Sequence, residues 1–79
     1  MTSTLHCKII PNDAIPADCE AVFDTTGRLL VAMTAPGFKL PETFEVEAED
    51  GVVFTVVSEG EGHAIHEDDM DIFVPMVFG

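Results

Sequence analysis

The chain has 79 residues and a formal net charge of −12, yet 47% of its residues are hydrophobic. Acidic disordered segments reach such a charge by giving up apolar content, so this composition marks a folded domain with a negative surface. Its only basic residues are Lys8, Arg28 and Lys39, too few to neutralise phosphates, which excludes direct nucleic-acid binding and attachment to anionic membranes.

A chain this short makes one small acidic β-rich domain, residues 1–79, and buries only about 60% of the surface its unfolded form exposes. No secretory leader is expected in its first residues, because the apolar stretch is limited to Ile9-Ile10 before Pro11. No apolar run approaches the ~20 residues that span a bilayer, so a soluble, cytoplasmic protein is expected. Cys7 and Cys19 lack C-x-x-C spacing and read as two buried thiols in a reducing compartment.

Taken in chain order, the pattern is one of short strands separated by turn residues. Leu5 to Ile10 reads as a first strand that Pro11 stops. Residues 11–19 carry two prolines and suit a loop or a single helical turn, the expected place of the one short helix. Residues 21–24 and 28–33 flank Asp24-Thr-Thr-Gly27 and predict a hairpin, with Gly27 supplying a positive φ. Residues 43–58 predict the best hairpin, since Phe44, Val46 and Ala48 alternate strictly with Glu45, Glu47 and Glu49. A two-residue Asp50-Gly51 turn would set Glu45 and Glu47 on the face of Phe54 and Val56. A three-residue loop, Glu49-Asp50-Gly51, instead pairs Ala48 with Val52 and gathers Phe44, Val46, Ala48, Val52, Phe54 and Val56 on one core face. Burial favours the three-residue loop. Residues 58–71 read as a long acidic loop, and Ile72 to Phe78 as a last apolar strand, at an edge or bulged because Pro75 cannot donate to a ladder. The expected fold is therefore mainly β (β-rich α+β), a small antiparallel sheet of about five to six strands with at most one short helix.

After Lys39 there is no basic residue, while eleven carboxylates follow, among them Glu42. Alternate residues on a strand lie about 6.6 Å apart, and phosphates on one DNA strand advance about 3.4 Å along the axis. A rigid row of carboxylates such as Glu45, Glu47 and Glu49 on one strand can thus occupy a groove lined with Arg and Lys. The same row also serves as a solvated face that keeps a small β-protein soluble. Ordinary surfaces intersperse both signs, however, and the unbroken run points to a basic partner. The partner-binding candidates are Glu45, Glu47, Glu49, Asp50, Glu59, Glu61, Glu67, Asp68, Asp69 and Asp71.

Other chemistry finds little foothold. His63 and His66, with the neighbouring acids, could hold a divalent ion, but neither H-E-x-x-H nor a spaced calcium loop is present. A solvated acidic loop is the expected state, with no metal and no cofactor. No nucleophile elbow, Cys/His signature or Gly-rich phosphate loop occurs, and a non-enzymatic protein is expected.

In size, acidity and β pattern the chain resembles the small phage-encoded anti-CRISPR proteins of the DNA-mimic kind. The residues behind the likeness are the row Glu45, Glu47, Glu49, Asp50 and the acidic segment Glu59 to Asp71. The resemblance implies an inhibitor in the bacterial host cytoplasm that occupies the DNA-binding surface of a Cas-type protein or complex. Two alternatives stand beside it: a small structural or assembly domain with Ile72 to Phe78 as its pairing edge, and an immunity or antitoxin protein neutralising a basic nuclease.

Overall fold

Alternating apolar and polar side chains build most of this molecule, whose computed structural model describes residues 4–78. Six strands form one antiparallel sheet: β1 (Thr4–Ile9), β2 (Glu20–Asp24), β3 (Leu29–Met33), β4 (Thr43–Ala48), β5 (Val53–Glu59) and β6 (Gly62–Ile65). A 3-10 turn over Glu67–Asp69 leads into helix α1 (Met70–Phe78).

The strand order β3-β2-β1-β4-β5-β6 places two three-stranded meanders side by side, joined along β1 and β4. The sheet curls until its two edges touch at one place. There the Ile65 N–H donates to Gly27 O at 2.8 Å, and Arg28 bridges Ala64. The inner face of this incomplete barrel is the core: Cys7, Ile9, Ala21, Phe23, Phe44, Val46, Ala48, Phe54 and Val56 all lie buried on it. Ile15 from the β1–β2 loop and Phe73 from α1 complete that core. Phe73 meets Phe54 edge-on, with ring centroids 5.8 Å apart, the geometry that aromatic quadrupoles favour.

The β4–β5 register is the one burial requires. Val46 faces Phe54 and Glu47 faces Val53; the Ala48 N–H donates to Val52 O at 2.9 Å and the Gly51 N–H to Ala48 O at 2.9 Å. Gly51 sits at φ +90°, where a side chain would be strained. Glu45 and Glu47 are consequently exposed, and Val52 is half-buried against the core. The β2–β3 hairpin closes in the same way over Thr25-Thr26-Gly27, and the Asp24 N–H donates to Arg28 O at 2.9 Å. Asp24 Oδ1 accepts from the Thr26 N–H, the Thr26 hydroxyl and the Arg28 N–H. These bonds, that of the Thr26 hydroxyl foremost, hold the Asp24 carboxyl below its ordinary range.

Three expectations need correction. Residues 11–19 contain no helix. Asn12 Oδ1 instead accepts from the Ala14 and Ile15 N–H groups at 2.7 and 3.0 Å, a local turn that competes with helical bonding. Residues 58–71 are not one loop, since β5 runs to Glu59, β6 follows a tight turn, and the 3-10 turn comes next. The segment from Ile72 to Phe78 is helical and not a final strand. Its residues are apolar at nearly every position, so alternation carries no period there. What decides is that Met70, Phe73 and Val77 recur at helical spacing and turn inward together. Glu67, Asp68, Asp69 and Asp71 sit at the start of this helical stretch, where the backbone dipole favours anions. The pairing edge assigned to this segment is thereby removed; β3 is the edge strand that carries exposed apolar residues, Leu30, Val31 and Met33.

Candidate functional site: the acidic surface

The ten candidate carboxylates fall into three groups. Glu45 and Glu47 stand on the outer face of β4, and Glu49 and Asp50 continue from them into the β4–β5 turn. Glu59 and Glu61 flank Gly60 in the β5–β6 turn. That turn lies at the other end of β5, about 20 Å from Asp50 for a strand of this length, while Glu45, opposite Thr55, is about 13 Å from it along the strand. Glu67, Asp68, Asp69 and Asp71 form the third group, at the 3-10 turn and the first turn of α1. The third group adjoins the first across β5, since Thr55 stands opposite Glu45 and its N–H reaches Asp69, while Glu59 and Glu61 lie apart at the far turn.

Folding also brings basic side chains to some of these groups, although none is near in sequence. Lys8 on β1 stands between Glu20 on β2 and Glu47 on β4 in the strand register. Where the sheet edges touch, Arg28 Nη1 lies 3.7 Å from Glu59 Oε1, and Arg28 Nη2 donates to Glu59 O at 3.3 Å. Among the described residues, Glu59 is the one candidate carboxylate within ion-pair distance of an Arg or Lys. Neither partner was legible as such, since the pairing depends on the closure of the barrel.

Two further residues of the run have structural work. Asp69 Oδ2 accepts from the Thr55 backbone N–H at 2.8 Å, and the His66 N–H donates to Thr55 O at 2.8 Å. Together they fasten the 3-10 turn to the free side of β5 beyond the end of β6, satisfying a ladder position that would otherwise lack a partner. Asp50 Oδ1 accepts weakly from the Val52 N–H at 3.3 Å within its own turn. Glu45, Glu47, Glu49, Glu61, Glu67, Asp68 and Asp71 are exposed and point their charge to solvent.

The two histidines are occupied in the same local fashion. His63 Nε2 lies 2.9 Å from Pro41 O, which can only accept, so Nε2 carries the proton; the ring packs against Phe44 at 5.3 Å. His66 Nδ1 accepts from the Asp68 N–H at 3.1 Å and caps the 3-10 turn. Among the described residues no cluster of three or more His, Cys, Asp or Glu side chains is arranged to hold a metal ion.

Two thiols sit in the core. Cys7 and Cys19 are both free and buried. Cys7 faces Ala21 in the β1–β2 ladder, and Cys19 lies across from Ile9, whose N–H donates to its carbonyl at 2.9 Å. The two thiols are therefore diagonal neighbours, about 7–8 Å apart at the backbone, beyond the usual reach of a disulfide. Burial pushes the Cys7 thiol up to about 11, with the charge of Asp50 adding to the effect. Such a thiol is not a nucleophile at neutral pH.

Two shallow hollows on the outer face, around Lys8 and Glu47, are open to solvent and lined by both signs of charge. No helix among the described residues is long and apolar enough to cross a membrane. No protein-family model, curated protein or solved structure matches this chain.

Proposed function

We propose that this protein is a binding protein whose carboxylates engage the Arg- and Lys-lined, DNA-binding surface of another protein, in the manner of a phage inhibitor of a CRISPR-Cas complex. The observation that supports this most is the exposure of Glu45, Glu47, Glu49, Glu61, Glu67, Asp68 and Asp71 on a sheet whose register holds them outward, none of them beside an Arg or Lys within ion-pair distance. A surface built to neutralise phosphates also attracts preorganised carboxylates, which speeds encounter and strengthens close pairs where they are desolvated. A folded scaffold loses less ordering entropy on binding than a disordered polyanion does.

The test is competition. The protein is titrated against labelled target duplex bound to each of a panel of purified Cas effector complexes, at low and near-physiological salt. Displacement of duplex by one of them, weakening steeply as salt rises, is the expected result. Glu45→Lys with Glu47→Lys, or Glu67→Lys with Asp68→Lys, removes the displacement while the circular dichroism spectrum stays unchanged. Displacement that survives both pairs of reversals overturns the reading. An immunity protein against a basic nuclease has the same electrostatics, and inhibition of a nuclease without displacement from any Cas complex would select it.

The exposed apolar residues Leu30, Val31 and Met33 on edge strand β3 favour a second reading, assembly through that edge. A stable dimer in sedimentation experiments, abolished by Val31→Lys, would establish it.

A further inference from the structure

Helix α1 is apolar at every position but Asp71, yet it lies at the surface. Asp71 is its one charged residue among nine. Phe73 is fully buried, and Met70, Met76 and Val77 turn half-buried toward the same core. At 100° per residue the opposite arc of the helix carries Val74, Phe78, Asp71, Pro75 and Ile72 in angular order. There Ile72 is 50% exposed and Phe78 68% exposed. Helices that are hydrophobic all round are ordinarily enclosed, so the outer arc of α1 lacks the cover its composition calls for.

Charge decides what provides that cover. Glu67 and Asp68 border the arc at its N-terminal end, and Asp71 stands within its first turn, between Phe78 and Pro75 in angle. Glu49 and Asp50 share a hollow with Met76 on the flank of the helix. An apolar surface with an acidic rim matches an apolar surface with a basic rim. A second copy of this chain would bring two such acidic rims, and two charges of −12, against each other. Anionic lipid is repelled for the same reason.

We propose that the outer arc of α1, through Ile72, Val74 and Phe78, is the apolar anchor of the interface, and that it takes a partner surface presenting apolar side chains bordered by Lys or Arg. The inference rests on the electrostatic reading above and adds to it the contact that selects one basic surface among many. The acids speed encounter, while the helix discriminates by burial, which a polar polycation cannot supply.

The experiment uses two synthetic helical peptides with identical lysines. One carries leucines along a single face; the other carries serines in their place. Each is titrated into isotopically labelled full-length protein at near-physiological ionic strength, and amide shifts are followed. The leucine peptide is expected to bind at least about tenfold more tightly, with the largest shifts in residues 70–78. Ile72→Ser with Phe78→Ser should abolish that preference and leave the weaker binding of the serine peptide unchanged. Equal binding of the two peptides, or shifts centred elsewhere, would overturn the anchor while leaving the electrostatic reading standing. Failure of both peptides to bind would remove the electrostatic reading together with the anchor. Shifts in α1 that depend on the concentration of the protein alone, or binding to neutral phosphatidylcholine vesicles, would assign the arc to a second copy or to lipid and overturn the proposal.

Discussion

Gly27 is the residue at which most of the fold converges. It holds φ +86°, and its carbonyl takes the bond that closes the sheet edge. A Cβ at this position would stand 3.0 Å from Met70 Sδ and 3.4 Å from Ile65 Cβ. Gly27→Ala therefore combines a left-handed backbone strain of about 1–2 kcal/mol with a contact that only Met70 can relieve. We expect a loss of about 1–3 kcal/mol in urea unfolding; a loss below about 0.5 kcal/mol would mean the edge contact does not form in solution. Cys7 gives a prediction in pH. Its folded pKa of about 11 lies above the ordinary thiol value of 9.0. The neutral thiol is thus favoured by folding, a contribution fully present below pH 9 and lost as pH rises through about 11. Unfolding free energy should fall over that window by about 2–3 kcal/mol, and in Cys7→Ala that part of the fall should be missing. An identical alkaline profile in both proteins would refute the assignment.

At the scale of elements, the legible parts were those with a period. The strand β4 announces itself through Phe44, Val46 and Ala48 alternating with glutamates, and its register with β5 follows from the requirement that no carboxylate enter the core. The helix α1 has no such period, because a run that is apolar at every position is compatible with either conformation until a partner for one face is known. That partner is Phe54, some twenty residues earlier, and nothing local points to it. Pro75 was the misleading signal. It argues against a central strand, but within α1 it also removes the bond its nitrogen would give to Asp71 O. Replacing it should therefore raise stability: about 3 kcal/mol of helix cost is relieved, less about 0.4–1 kcal/mol because the unfolded chain gains freedom. Pro75→Ala is expected to raise the thermal midpoint and to increase the helical band in circular dichroism. A lower midpoint would show that residues 70–78 are not a regular helix in solution.

For the whole molecule, net charge was legible from composition, whereas the local charge balance was not. Arg28 meets Glu59 only because the sheet curls, and Lys8 stands opposite Glu20 and Glu47 only because β1 lies between β2 and β4. These pairings leave most carboxylates unbalanced, and the folded state concentrates them more than the unfolded chain does. Salt should then stabilise the protein by screening that repulsion. Raising sodium chloride from about 0.01 M to about 0.3 M, where the screening length shortens from about 30 Å to below 8 Å, should raise the thermal midpoint. Glu47→Gln should raise it less than Glu45→Gln, because Lys8 stands opposite Glu47 whereas Thr55 stands opposite Glu45. A midpoint that falls with salt would mean that ion pairs outweigh repulsion.

The joining of two meanders along β1 and β4 has a consequence for approach to a partner. Residues 1–39 carry three basic and four acidic residues, whereas residues 40–79 carry eleven acidic and no basic ones. The seam between the meanders is thus also a boundary between a nearly neutral half and a strongly negative one. A body charged on one side experiences torque in an external field as well as attraction. Near a positive surface the molecule turns before it arrives, so that β4, β5, β6 and the start of α1 lead and β2, in the middle of the other meander, trails.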